Sequence, residues 1–184
     1  IAGTINIITK EPVRNSASIS HTTSSINGRG VFDHNTSLNA SLVTDDNKMG
    51  VAVFGQNRQK DGYDHDGDGF TELTEMNGQT LGMRGYLKTG IYSKVTAEYH
   101  HLQEFRRGGD QLDKPAHEAN ITEQTDHQIH GGDINFNYWT DDHKHKLNVY
   151  TSLQDTRRDS YYGSGMDPNA YGSTHDLVVL GGAQ

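Results

Sequence analysis

The feature that most constrains this chain is an alternation of apolar and polar residues with a period of two. In HKLNVYTSL (145–153), Leu147, Val149 and Leu153 fall on one face and Asn148, Tyr150 and Ser152 on the other. DINFNYW (133–139) opposes Ile134, Phe136 and Tyr138 to Asn135 and Asn137. SLNASL (37–42), TLGMRGYLK (80–88) and KVTAEYHH (94–101) repeat the scheme with Leu38 and Leu42, with Leu81, Met83 and Leu87, and with Val95, Ala97 and Tyr99. Successive side chains of a β-strand point to opposite faces, so these segments predict strands with one apolar face. No segment keeps a helical period, and no run of about 18 apolar residues exists to form a membrane-spanning helix.

Apolar residues are too few for a conventional core. Leu, Ile, Val and Phe together make up 35 of 184 residues, and mean hydropathy is −0.81. That composition approaches the signature of disorder, yet 15 aromatic residues and the regular alternation argue against it. A net charge of −8 speaks against a nucleic-acid partner. The absence of cysteine excludes a disulfide scaffold and a thiolate nucleophile. Ile1 in place of Met predicts an internal segment of a longer protein.

Strands are expected near 16–25, 34–43, 49–58, 78–88, 94–106, 127–139, 145–157 and 174–184. Their connections sort by length. TDDNK (44–48), TGIYS (89–93) and TDDHK (140–144) are short and polar, whereas 58–78, 106–127 and 157–174 are long, charged and glycine-containing. Short turns at one end and long loops at the other is the pattern of an up-and-down transmembrane β-barrel. Tyr92, Tyr138 and Trp139 stand beside the short turns, where an interfacial aromatic girdle belongs. A soluble antiparallel sandwich also alternates, but its core normally needs more apolar residues.

The N-terminal stretch IAGTINIITKEP adds a more specific signal. Gly3, Ile5, Asn6, Ile7, Ile8, Thr9 and Lys10 form a β-prone run that Pro12 stops. This stretch, followed by alternating strands with sorted loops, resembles the TonB-dependent outer-membrane receptors, whose plug domain closes on such a sequence just before the barrel begins. Glu98-Tyr99-His100-His101, Glu104 to Asp110 and Tyr161-Tyr162-Gly163 look like the cobalamin, haem and ferric-siderophore branch of that family. The resemblance implies an all-β chain with residues 1–12 as the end of the plug. Residues 13–184 would then be about eight strands of an antiparallel 22-strand barrel. It implies an outer-membrane transporter that imports a scarce metal chelate. The implied partners are the TonB energy-transducing protein, outer-membrane lipids and a surface lipoprotein. Another outer-membrane barrel, adhesin or enzyme, and a soluble calcium-binding β-domain are the alternatives.

One local motif carries recognisable chemistry. DHDGDGFTELTE (64–75) fits D-x-D-x-D-G-x5-E. Asp64, Asp66 and Asp68 would supply oxygens at positions 1, 3 and 5, the Phe70 carbonyl position 7, Glu72 position 9 and Glu75 position 12. A hard cation, Ca2+ before Mg2+, suits such an all-oxygen set. Because strands and not helices flank the loop, a true EF-hand is not expected, and a solvated acidic tip is the alternative. Arg106 and Arg107 are candidates for an anionic ligand, with ion pairs to neighbouring carboxylates as the plainer reading. Tyr161, Tyr162 and Tyr171 are candidates for ligand contact in an aromatic loop. His100, His101, His117, His127 and His130 cluster without metal-ligand spacing. No G-x-S-x-G, HExxH, P-loop or triad is present, so no enzymatic activity is expected.

Overall fold

The structure, a computed structural model, describes residues 11–28 and 30–184. The expected NIITK strand and most of the 1–12 segment therefore lie outside the described residues. Eight strands form one antiparallel sheet in the order of the sequence. They are β1 (Ser16–Ile26), β2 (Val31–Val43), β3 (Met49–Lys60), β4 (Glu75–Lys88), β5 (Ser93–Gly109), β6 (Ile121–Trp139), β7 (Lys146–Ser164) and β8 (Tyr171–Ala183). One short 3-10 turn, Ala116–Glu118, interrupts the β5–β6 connection. Among the described residues each strand pairs only with its sequence neighbours, and β1 and β8 are not paired with each other, so the sheet is open.

The register puts the alternating apolar residues in one continuous band. Leu38 lies opposite Ile19, Val53 opposite Met83, Val95 opposite Phe136, and Phe136 opposite Val149. This band is not a core. Leu42 is 70% exposed, Ile19 75%, Leu81 56% and Ile134 54%. The band also stops partway along the strands. One step toward the long-loop end, the same face carries Thr36, Asn57, Gln79, Gln103, Gln128 and Arg157, in register across β2 to β7.

The opposite face is polar, and its glycines have a specific use. Four aromatic or imidazole rings each lie over the glycine directly across the ladder: Tyr86 over Gly50, Phe54 over Gly82, His100 over Gly131 and Tyr150 over Gly182. A glycine in a strand interior marks a close approach, and here the approaching group is the partner's ring. The rings thus lie along the sheet rather than standing out from it. Residues 11–15 cross this polar face near the short turns. Glu11 pairs with Lys94 of β5 at 2.6 Å, and Pro12 packs beside Gly50 and Tyr86. The Val43 N–H donates to the Asn15 side chain at 2.7 Å.

The near-repeat of TDDNK and TDDHK is a structural repeat. The Thr44 hydroxyl donates to the Asp46 carboxylate at 2.7 Å, and the Lys48 N–H donates to the same oxygen at 3.1 Å. Thr140, Asp142 and Lys144 make the same pair of bonds. Asn47 and His143 occupy the positive-φ position of the two turns, at 52° and 55°. The Thr44 hydroxyl, then the Lys48 amide, hold the Asp46 carboxyl down at about 2, and Thr140 lowers Asp142 in the same way.

At the other end the strands outrun the sequence expectation. The 58–78, 106–127 and 157–174 connections shrink to 61–74, 110–120 and 165–170. The segments that join the strands are polar on both faces, which reads as loop in the sequence. A ladder needs only paired backbone groups, so the strands continue beyond the apolar band. Tyr161, Tyr162 and Gly163 therefore belong to β7 and not to a loop.

The ring-over-glycine pairs make a direct prediction. A Cβ at Gly82 meets the Phe54 ring, whereas one at Gly85 meets only ordinary contacts, with Gly50 O at 3.5 Å. In detergent, Gly82→Ala should lower stability to urea by about 1–3 kcal/mol, as overpacking does. Gly85→Ala should be close to neutral, and Phe54→Leu added to Gly82→Ala should recover part of the loss. Equal effects at Gly82 and Gly85 would contradict the packing.

Candidate functional site

The chemistry gathers at the long-loop end, around the β3–β4 connection. Its ends are anchored first. The Asp61 carboxylate accepts the Phe32 N–H at 2.9 Å, and Tyr63 and Leu73 form a two-residue bridge across the base of the loop. Tyr63 is buried, and its hydroxyl accepts from the Asn27 amide at 2.8 Å. On the far side, Thr71 exchanges hydrogen bonds with Gly109 of β5, and Phe70 bridges Asp110. The loop is thus tied to β2, to the turn before it and to the end of β5.

Between these anchors the acidic side chains fold back onto the loop's own backbone. Asp64 accepts the N–H groups of Gly67 at 2.6 Å and Gly69 at 2.8 Å. Both glycines have positive φ, 85° and 90°, a conformation that side chains with a Cβ rarely take. Asp68 accepts the Phe70 N–H at 2.8 Å, and Glu72 accepts the His65 N–H at 2.6 Å. The Gly67 amide, followed by that of Gly69, lowers the Asp64 carboxyl below its ordinary value.

One carboxylate oxygen from each of Asp64, Asp66, Asp68 and Glu72 lies within 4.8 Å of the others. Oxygens on opposite sides of a Ca2+ ion stand about 4.6–5.2 Å apart, so this spread matches the diameter of a calcium cage. The set is all oxygen, largely exposed and strongly anionic, which suits a hard cation and leaves room for water. Glu75 is not in the group. It opens β4 opposite Arg107. In an EF-hand the following helix returns position 12 to the ion. Here the chain leaves as a strand, at about 3.3 Å per residue, and carries Glu75 away. Phe70 stays beside the group through its N–H bond to Asp68.

The acidic loop also walls a cavity of about 740 Å³ between it and the ends of β5, β6 and β7. Phe70 and Glu72 line it on one side, and Glu123, Tyr162, Ser164 and Asp167 on others. Thr122 lines it as well, is 3% exposed, and its hydroxyl has no hydrogen-bond partner among the described residues. Glu123, Thr122 and Asp167 carried no signal in the sequence, because each is a common residue type in a polar stretch.

The other sequence candidates separate. Arg106 and Arg107 are neighbours in β5, so they point to opposite faces. Arg106 lies on the polar face and holds Glu104 through two bonds, 2.7 and 3.2 Å. Arg107 is buried on the other face and donates to the Gln111 carbonyl. Tyr161 and Tyr162 separate in the same way. Tyr161 is 1% exposed, donates to the Asp167 carbonyl at 2.9 Å and packs edge-on against Tyr171. Tyr171 in turn meets His117. Those two tyrosines fasten the β7–β8 connection. Tyr162 reaches the cavity, with the Arg158 guanidinium over its ring. Of the five candidate ligand contacts, only Tyr162 lines this cavity. Period two, applied through 100–109 and 157–164, is the signal that separates these pairs.

Calcium added to the detergent-solubilised chain should protect the 61–74 loop from protease. Asp66→Ala with Glu72→Ala should abolish that protection, while Glu75→Ala should leave it in place. Loss of protection in Glu75→Ala alone would restore the EF-hand spacing and contradict the geometry.

Comparison with protein-family models, with curated proteins and with solved structures gives no match for this chain, so the functional reading rests on its residues and their arrangement.

Proposed function

We propose that this chain is part of an outer-membrane β-barrel receptor that captures a scarce metal chelate outside the cell and imports it. One observation carries the reading. The large apolar side chains lie on an exposed face, while the polar face receives the packed rings and the preceding segment. In water this arrangement is inverted, because it leaves apolar area unburied. Against lipid it is the expected one, with the apolar face outward and the polar face lining a lumen. The free edges of β1 and β8 then pair with further strands of the same barrel.

Three further features support the same reading. The short repeated turns suit the periplasmic side and the longer connections the extracellular side. Residues 11–15 approach β1 across the polar face, as a segment leaving a plug inside the lumen would. The loop end holds the cavity and the oxygen cage, where a ligand arriving from outside would be met. In this account Ca2+ offsets two of the four negative charges and orders the loop that walls the cavity. Ordering the loop beforehand lowers the entropy cost of capture. The ligand class is a cobalamin, haem or ferric-siderophore type chelate, and the energy comes through the TonB protein at the periplasmic side. A surface lipoprotein would assist capture outside. The chain binds and transports, with no catalytic role.

Val149 and Asn148 test the assignment of faces, because they are adjacent and differ only in face. Arg at Val149 should reduce folded, membrane-inserted protein by roughly 2–4 kcal/mol, the cost of a charge at mid-membrane depth. Arg at Asn148 should be tolerated. Heat-modifiable mobility of the outer-membrane fraction reads both. Equal losses at the two positions would overturn the reading.

A further inference from the structure

The polar face carries a basic patch, although the chain as a whole has a net charge of −8. Two neighbouring rows of the ladder hold it, near the long-loop end. Asp33, Lys60 and Arg106 share one row, with Met76 between the two cations. Arg58, Glu104, His127 and Arg158 share the next, with Gly78 between Arg58 and Glu104. With the histidine neutral, the two rows hold four cations and two carboxylates among the described residues, and their other positions are uncharged.

The cations are only partly satisfied. Arg58 donates from Nε and Nη2 to Asp33 at 3.0 and 2.6 Å, and Arg106 uses the same two groups on Glu104. A guanidinium has five N–H donors, so each keeps its Nη1 hydrogens for another acceptor. Lys60 Nζ has neither a hydrogen bond nor an ion pair among the described residues, yet it lies within electrostatic reach of Arg58, Arg106 and Asp33. Two strand spacings put the Lys60 and Arg106 Cα atoms about 10 Å apart, and two residues put Arg58 about 7 Å from Lys60. Long side chains on one face converge over that span. Gly78 leaves a hollow among them, where an added Cβ would meet nothing closer than 3.4 Å. Like charges gathered around a hollow repel one another, and an anion seated there turns that repulsion into attraction.

We propose that Lys60, Arg58 and Arg106 form a site for a multiply charged oxyanion, a phosphate or a polycarboxylate, seated over Gly78. Lys60 supplies an ammonium point charge, and the two guanidiniums supply their remaining N–H donors. Asp33 and Glu104 hold those guanidiniums in position. The acidic loop begins directly after Lys60, so its charge opposes an anion and limits the affinity. That the occupant is an anionic group of the imported chelate rests on the transport reading, whereas binding of the oxyanion itself uses only the register and the charges.

The test is calorimetric titration of the detergent-solubilised full chain with pyrophosphate, with citrate and with acetate. The buffer is free of Ca2+, which pyrophosphate and citrate both bind. Wild type should take pyrophosphate or citrate at least tenfold more tightly than acetate, with affinity falling as NaCl is raised. The tighter of the two probes tells a phosphate-bearing ligand from a polycarboxylate. Lys60→Gln removes no hydrogen bond and should weaken that probe at least fivefold, Lys60→Glu should abolish its binding, and Lys60→Arg should retain it. Arg157→Gln, next to Arg158 but on the opposite face, should leave it unchanged. Circular dichroism of each variant confirms that the sheet persists, and should Lys60→Gln unfold, Lys60→Met gives the same comparison. Wild-type binding no tighter than that of acetate, unchanged affinity in Lys60→Gln, or equal loss in Arg157→Gln would overturn the site. None of these results bears on the faces of Val149 and Asn148, so failure of the site and failure of the transport reading are told apart.

Discussion

The backbone ladder is the interaction on which everything else depends. From β2 to β7 every strand is paired along both edges, and among the described residues no apolar core lies beneath them. Among the described residues, the buried apolar groups are Tyr63, Tyr86, Ala116, Ala119 and Tyr161, and most of these belong to loop anchors rather than to a core. A structure held by its ladder leaves both faces available for other duties. One face is free to be apolar and the other polar, and the strands can run on past the apolar band as far as pairing continues.

Such a sheet divides its work between its two ends. The short-turn end is rigid and repetitive, with Thr44–Asp46 and Thr140–Asp142 closing two hairpins by the same bonds. The long-loop end is varied, and its connections are fastened by individual contacts: Asp61 on β2, Thr71 on Gly109, Tyr161 on Asp167. Asp110 fastens the β5–β6 connection by accepting the N–H groups of Asn120 and Ile121. Chemistry collects at that end because backbone not committed to the ladder can bend toward a ligand, as the Gly67 and Gly69 turns do around Asp64.

How much of this was legible in the sequence depends on which physical rule governs each residue. Period two places Leu147, Val149, Ile134 and Phe136 on one face without any structure, because alternation is a property of the strand itself. The oxygen cage was legible as residue types, since Asp64, Asp66 and Asp68 are spaced by the loop's own turns. So was Glu72, at position 9 of the motif, whereas the exclusion of Glu75 was not. Glu72 joins the group and Glu75 does not, and that choice depends on the chain leaving as a strand. Strand ends were also hidden. Gln124, Asp126 and Asp159 are as polar as loop residues, and only the pairing of β6 with β7 shows them to be in a ladder. The cavity wall was least legible, because Glu123 and Asp167 meet through tertiary geometry alone.

The central claim is that the apolar face of the sheet meets lipid. The chain has no cysteine, so single cysteines can be introduced and labelled one at a time. A scan of positions 146–153 in β7, with a fluorophore at each and a quencher carried either on lipid chains or in water, reads the face of every residue. Odd positions from 147 to 153 should be quenched from the lipid and even positions from the water, with the pattern alternating residue by residue. Quenching from water at every position, or a pattern without alternation, would contradict the account.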